Sequence, residues 1–274
     1  MAEQQSESGT RLTAAEIHEN ILRPGFEELE RSTGALLWSS LASGLVIGFS
    51  FVGGAYAASL VAGEAGKRAA AAAVYPLGFI MVILSRSELF TENTLVPVIP
   101  FLEKRDRDTL VALLRVWALL LLGNMVGAVV FGWTLARTQM VEPSLHAELI
   151  RIAEHATTGG FGHVLYAGVF AGWLIALLSW LLAATHATGA QIALIWLCTA
   201  PIAALGFRHS IAGSVEAFYR AASGGAGWGE MLTGFVVPAV IGNAIGGVLL
   251  VALLNYGQVA SDRDSAPSEP GQKH

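Results

Sequence analysis

Gly206-Phe207-Arg208-His209-Ser210-Ile211-Ala212-Gly213-Ser214-Val215-Glu216 decides how the chain is read. The stretch puts an arginine, a histidine and a glutamate into an otherwise apolar segment. Ile192-Ala193-Leu194-Ile195-Trp196-Leu197 lies before it and Ala217-Phe218-Tyr219 after it. Ionisable groups at membrane depth are costly, so a titratable His there is a candidate functional residue by default. Gly206 and Gly213 bracket it, as a helix that stops and restarts requires. The apolar runs on either side are too short to span a bilayer separately, which argues against a plain loop between two complete spans.

Composition sets the class. Hydrophobic residues make up 54% of the 274 and charged residues 14%, with mean hydropathy +0.57, which excludes an ordinary soluble domain and points to a polytopic helical membrane protein. Thirty-one glycines suit close helix packing and interrupted helices. A lone cysteine, Cys198, excludes an intramolecular disulfide and a cysteine metal cluster. The formal net charge of -5 leaves no nucleic-acid footprint. No zinc-protease His-Glu-xx-His and no Walker glycine loop occurs, so an enzyme or an ATP-driven pump has little support and no cofactor or metal is expected. His146, His155, His163 and His186 fall in or beside loops, unlike a metal site, and are expected to face solvent.

In chain order, residues 1–12 read as disordered and residues 13–32 as an amphipathic helix with a Thr13/Glu16 capping box, kinked or broken at Pro24-Gly25. That N-terminal segment, residues 1–34, is polar, with no apolar core of a cleavable signal. Spans are expected at about 36–62, 70–86, 110–136 and 163–184, then the interrupted segment around His209, then 231–254. A short helix is expected near 143–155, and residues 257–274 form a polar tail. The second run stops at Ser85-Arg86-Ser87-Glu88-Leu89-Phe90-Thr91-Glu92-Asn93-Thr94, a second polar interruption, and Pro97 and Pro100 prevent a further full span. Six spans put both termini on one face. Eight Lys and Arg on that face against five on the other favour cytoplasmic termini.

The halves repeat. Gly123-Asn124-Met125-Val126-Gly127 matches Gly242-Asn243-Ala244-Ile245-Gly246 at an offset of 119, and the interruptions centred on Thr91 and His209 lie 118 apart. Each half, about 35–136 and 163–255, holds an odd number of spans, so the second enters the membrane inverted. Interrupted helices leave free amide N–H groups and aim positive dipole ends at the gap, which suits a small anion. Asn124 and Asn243 read either as partners of the broken backbone beside a pore or as helix-packing residues.

Ser87-Glu88-Leu89-Phe90-Thr91, followed by Gly206-Phe207-Arg208-His209-Ser210-Ile211-Ala212 and accompanied by the two Gly-Asn-xx-Gly motifs, resembles the formate–nitrite transporter family over residues 30–256. The resemblance implies an all-α membrane protein with six transmembrane helices, an aquaporin-like inverted repeat with spans two and five broken, and a homopentamer in a bacterial-type inner (plasma) membrane. Small monovalent anions such as formate, nitrite or hydrosulfide would be the solutes, passing passively or with a proton. His209 would be the pore centre with Thr91 as its hydrogen-bonding partner; Leu89, Phe90 and Phe79 would form one constriction, Tyr75 and Ile202 the outer one. Such a His can pass a proton to a weak-acid anion in a dry site, so the solute crosses apolar constrictions uncharged.

Three departures bear on substrate. Arg208 stands where relatives carry a Glu, Gly172 where they have a pore-lining Asn, and residues 143–184 hold no Lys. An Arg in place of an acid favours neutral imidazole and attracts anions. Glu92 and Glu216, one near each interruption, are expected to pair with Arg208, Arg86 or Arg220. These features resemble the family's YfdC-like branch more than its formate channels. Two rivals stand beside the anion route: an aquaporin-like pore for water or small neutral solutes, which lacks the Asn-Pro-Ala motif here, and a membrane scaffold or sensor without transport.

Overall fold

A computed structural model describes residues 12–138 and 140–265. Apart from Leu12, the start expected to be disordered lies outside the described residues, as does the end of the tail. In chain order the helices are α1 (Ala14–Glu30), α2 (Thr33–Ser59), α3 (Glu64–Leu84), α4 (Val98–Lys104), α5 (Arg107–Arg137) and α6 (Pro143–Thr157). They continue with α7 (Phe161–Leu182), α8 (Thr188–Ala204), α9 (Ser210–Ala222) and α10 (Trp228–Asp262). By length and composition α2, α3, α5, α7 and α10 can cross a membrane, and α8 is a shorter apolar helix. The chain is an all-α membrane protein.

Local chemistry explains the ends. Thr13 and Glu16 cap α1 reciprocally. Pro24 does not break α1, contrary to expectation: the helix runs through it, and Gly25 sits so close to Val96 and Pro100 that any side chain there would collide. Helix–loop packing outweighs the single backbone bond that proline removes. The last helix continues to Ser265, into the polar stretch that begins at residue 257. Asn243 lies in α10 between two stretches of wider, π-type winding, Leu232–Val236 and Val248–Ala252.

Two features occur twice. First, α3 and α8 end in the same turn, 120 residues apart. Ser87 N–H donates to Val82 O at 3.1 Å, and Phe207 N–H to Ile202 O at 2.9 Å. Each turn needs a left-handed residue, Arg86 (φ 59°) in one and Gly206 (φ 71°) in the other. Second, α2 packs on α5 as α7 packs on α10. Gly44 lies against the backbone of Asn124, and Gly172 against that of Asn243, with no room for a β-carbon at either. Backbones in contact replace a hydrophobic driving force that lipid cannot supply.

Arg86 adopts a conformation that suits glycine. Arg86→Gly is expected to stabilise the protein by about 1 kcal/mol, and Gly206→Ala to destabilise it by about 1–2 kcal/mol. Thermal unfolding of the detergent-purified variants would show it; equal shifts of one sign would contradict the shared turn.

Candidate functional site

Each interruption is held by one asparagine carboxamide. Asn124 Oδ1 accepts from Phe90 N–H at 2.9 Å, and its Nδ2 donates to Glu88 O at 3.0 Å and to Ser40 O at 2.8 Å. Asn243 Oδ1 accepts from Ser210 N–H at 2.7 Å, and its Nδ2 donates to Arg208 O and Gly168 O, both at 2.8 Å. Both carboxamides are fully buried, where unpaired backbone would cost most. The clamps make Leu89, not Thr91, the counterpart of His209. The interruptions therefore correspond at an offset of 120, whereas the sequence reading placed them at 118.

Thr91 and His209 meet across the repeat. Thr91 Oγ1 lies 2.9 Å from His209 Nε2. His209 is the N-cap of α9: its Nδ1 accepts from Ile211 N–H and Ala212 N–H, each at 3.2 Å. With Nδ1 used as an acceptor, the neutral ring carries its proton on Nε2 and donates to Thr91. The Thr91 hydroxyl proton is then free for another acceptor. Phe79 meets the imidazole edge-on at 4.9 Å, and Tyr75 packs on Phe79.

Beside His209 is a cavity of about 380 Å³. Tyr75, Ile202, Arg208 and Glu216 line it, and Arg68, Arg151, His155 and His163 add to its wall. Arg208 is 7% exposed; its Nη2 donates to His155 O and Thr158 O at the end of α6, while its Nε has no partner. A cation suits a helix C-terminus. Burial first, then Arg208, Arg68 and Arg151, push the His155 imidazole below its ordinary value. At neutral pH the arginines therefore carry the cavity's positive charge. Outside the cavity, Glu148 binds Lys67 and Arg151, anchoring α6. Burial alone would raise the Glu148 carboxyl, but these cations outweigh it and pull it down.

Several expectations change. Gly172 does not line the cavity; it is buried against Asn243, where helix contact leaves no room for a side chain such as the asparagine that relatives carry. Leu89 is fully buried, whereas Phe90 packs edge-on against Trp117 and lines an apolar groove between α5 and α10 instead of the His209 cavity. No ion pair within 4 Å joins Glu92 or Glu216 to an arginine among the described residues: Arg220 donates to Thr157 instead. His155, His163 and His186 are exposed, as expected, the first two also lining the cavity, whereas His146 is half-buried and bonds the Tyr219 hydroxyl at 2.7 Å.

The family model for the formate/nitrite transporter matches residues 15–257. The chain belongs to that family. It is a membrane transport protein, not an enzyme. Inner membrane protein YfdC of Escherichia coli (strain K12) is 32% identical over 249 residues, 91% of this chain and 80% of that protein. A probable formate transporter of Methanothermobacter thermautotrophicus is 28% identical over 78% of this chain and 88% of its own. Among solved structures, a pentameric formate channel with formate bound superposes with a TM-score of 0.70 at 19% identity, covering 87% of this chain and 98% of that one, and so shares the fold.

Reading the sequence missed the contacts that brace the site. Ser43 Oγ donates to Glu88 O, and Arg31 bridges Glu28 and Glu88 at 2.9 and 2.8 Å, tying the end of α1 to the first interruption. His18, read as terminal, is fully buried and bonds Glu103 at 2.9 Å. Local spacing carries no signal for the Ser43–Glu88, Arg31–Glu88 and His18–Glu103 pairs, because these partners are 45 to 85 residues apart. Asn243→Ala strands two carbonyls and an amide. Each buried loss costs about 1–3 kcal/mol at most, less where the membrane-unfolded chain finds other partners, so about 2–4 kcal/mol is expected in detergent unfolding. A change under about 0.5 kcal/mol would contradict the clamp.

Proposed function

We propose that the protein passes small monovalent anions or their weak acids, of the formate, nitrite and hydrosulfide class, through a pore centred on His209 and Thr91. The observation that carries this reading is the 2.9 Å contact between those two residues, from opposite interruptions, beside a cavity whose buried cation is Arg208. Relatives named for formate transport favour formate as the first solute to test.

In this reading residues 35–256 form the channel, with six spans: α2, α3, α5, α7, the α8–α9 pair and α10. The second and fifth are interrupted, in an aquaporin-like inverted repeat. Residues 1–34 and 257–274 are cytoplasmic appendages. The Escherichia coli relative, named an inner membrane protein, favours the inner (plasma) membrane, and the pentameric solved channel favours a homopentamer with one pore per protomer. Tyr75 and Ile202 form the outer constriction, Phe79 and Leu89 the other, and Asn124, Asn243 and Arg208 shape the route between.

The chemistry follows from the hydrogen-bond directions. His209 Nε2–H holds the Thr91 oxygen, so the hydroxyl proton points at the solute and marks where an anion pauses. Apolar rings on both sides exclude hydrated ions.

Thr91→Val removes the only hydroxyl in that pair. A hydrogen bond to a charged solute is worth about 1.5–3 kcal/mol, so formate uptake into proteoliposomes is expected to fall about 10- to 100-fold. His209→Ala should alter formate, nitrite and hydrosulfide flux in the same assay. Glycerol or water flux indifferent to both substitutions would contradict an anion pore.

A further inference from the structure

Glu216 is a buried carboxyl, 7% exposed, without an ion pair, in a family of anion carriers. It stands seven residues beyond His209, and His209, Gly213 and Glu216 at i, i+4 and i+7 share the face of α9 that lines the cavity. At 1.5 Å per residue, Glu216 is about 10 Å along the helix from the imidazole. Arg208 and Glu216 line this same cavity, and no ion pair within 4 Å joins them.

The other charges that face Glu216 are few. From α3 come Arg68, which is exposed, and the Tyr75 hydroxyl; from α6 come Arg151 and His155; from α7 comes His163. Arg151 is already bound to Glu148 and Glu64, and Arg220 of α9 to Thr157. Among the described residues α2, α5 and α10 bring no ionisable side chain to the cavity. Arg208 is therefore the one buried cation available, and its Nε still lacks an acceptor.

We propose that Glu216 is the proton-binding partner of anion entry: a monovalent anion takes Arg208 as its counter-charge, and Glu216 then binds one proton, so that anion and proton are taken up together. The proposal rests on reading this cavity as an anion route. One guanidinium neutralises one negative charge, and a second anion in the same buried space is repelled. Hydronium in the solvent at the cavity mouth gives its proton to the Glu216 carboxylate and leaves as water. While the anion is still within hydrogen-bond reach of Glu216, the carboxyl O–H bond breaks and the proton's new bond forms on the anion, which then moves on towards His209. A neutral acid crosses the apolar ring, and the carboxylate left behind returns to the field of Arg208.

The test is calorimetric titration of the full-length protein with formate near pH 9, where the Glu216 carboxyl is ionised before the anion binds, in two buffers of different ionisation enthalpy, which counts protons bound per anion. Wild type is expected to take up about one proton per formate, Glu216→Gln close to none while still binding formate, and Glu216→Asp to recover the proton. Binding without proton uptake in wild type, a count that needs no variant, overturns the proposal. So does an unchanged count in Glu216→Gln, because His209 is present in both. Formate uptake into liposomes by wild type separates the two readings: uptake with no proton counted sinks the coupling alone, and no anion uptake sinks the pore itself.

Discussion

Backbone groups inside a bilayer have no water to turn to, and everything at this site follows from how two interruptions escape that penalty. Asn124 and Asn243 each spend one carboxamide on a carbonyl and an amide two residues apart. That brackets Leu89 in one half and His209 in the other, and holds both loops rigidly enough for Thr91 to reach the ring. The glycines at the α2–α5 and α7–α10 crossings serve the same end. They bring the asparagine-bearing helices close enough for short side chains to reach the loops.

Much of this was legible in the residues. A His between glycines in an apolar segment, a second polar break and two Gly-Asn-xx-Gly runs pointed to a helical membrane protein with two related halves, and the family resemblance pointed to Thr91 as the partner of His209. Those signals are local or periodic. What escaped was set by contact between distant segments. The true correspondence of the interruptions is 120, which shows only once the clamps and the paired turns at Arg86 and Gly206 are seen. Gly172 looked like a lost pore residue and is a packing residue, because facing a neighbouring backbone and facing a lumen leave the same mark in a sequence. Pro24 looked like a kink or a break, but α1 continues through it, with Gly25 packed against Val96 and Pro100.

The charges give the site its individual character. Arg208 closes the end of α6 through two carbonyls while its backbone oxygen is held by Asn243. The outer helix is thereby bonded to the residue next to the central His. On the other side, Arg31 links α1 to Glu88, whose own carbonyl is held by Asn124. Each loop is thus connected through one arginine to a helix, α1 or α6, that is not among the candidate spans.

α9 holds the His209 ring by its Nδ1 and directs the Nε2 proton at the Thr91 oxygen. Nitrogen-15 magnetic resonance of histidine-labelled protein in lipid tests this, with His209→Gln identifying the ring's signals. A neutral His209 at pH 7 with Nδ1 bare and the proton on Nε2 is expected. A proton on Nδ1 would contradict it, because the ring could then neither cap α9 nor donate to Thr91.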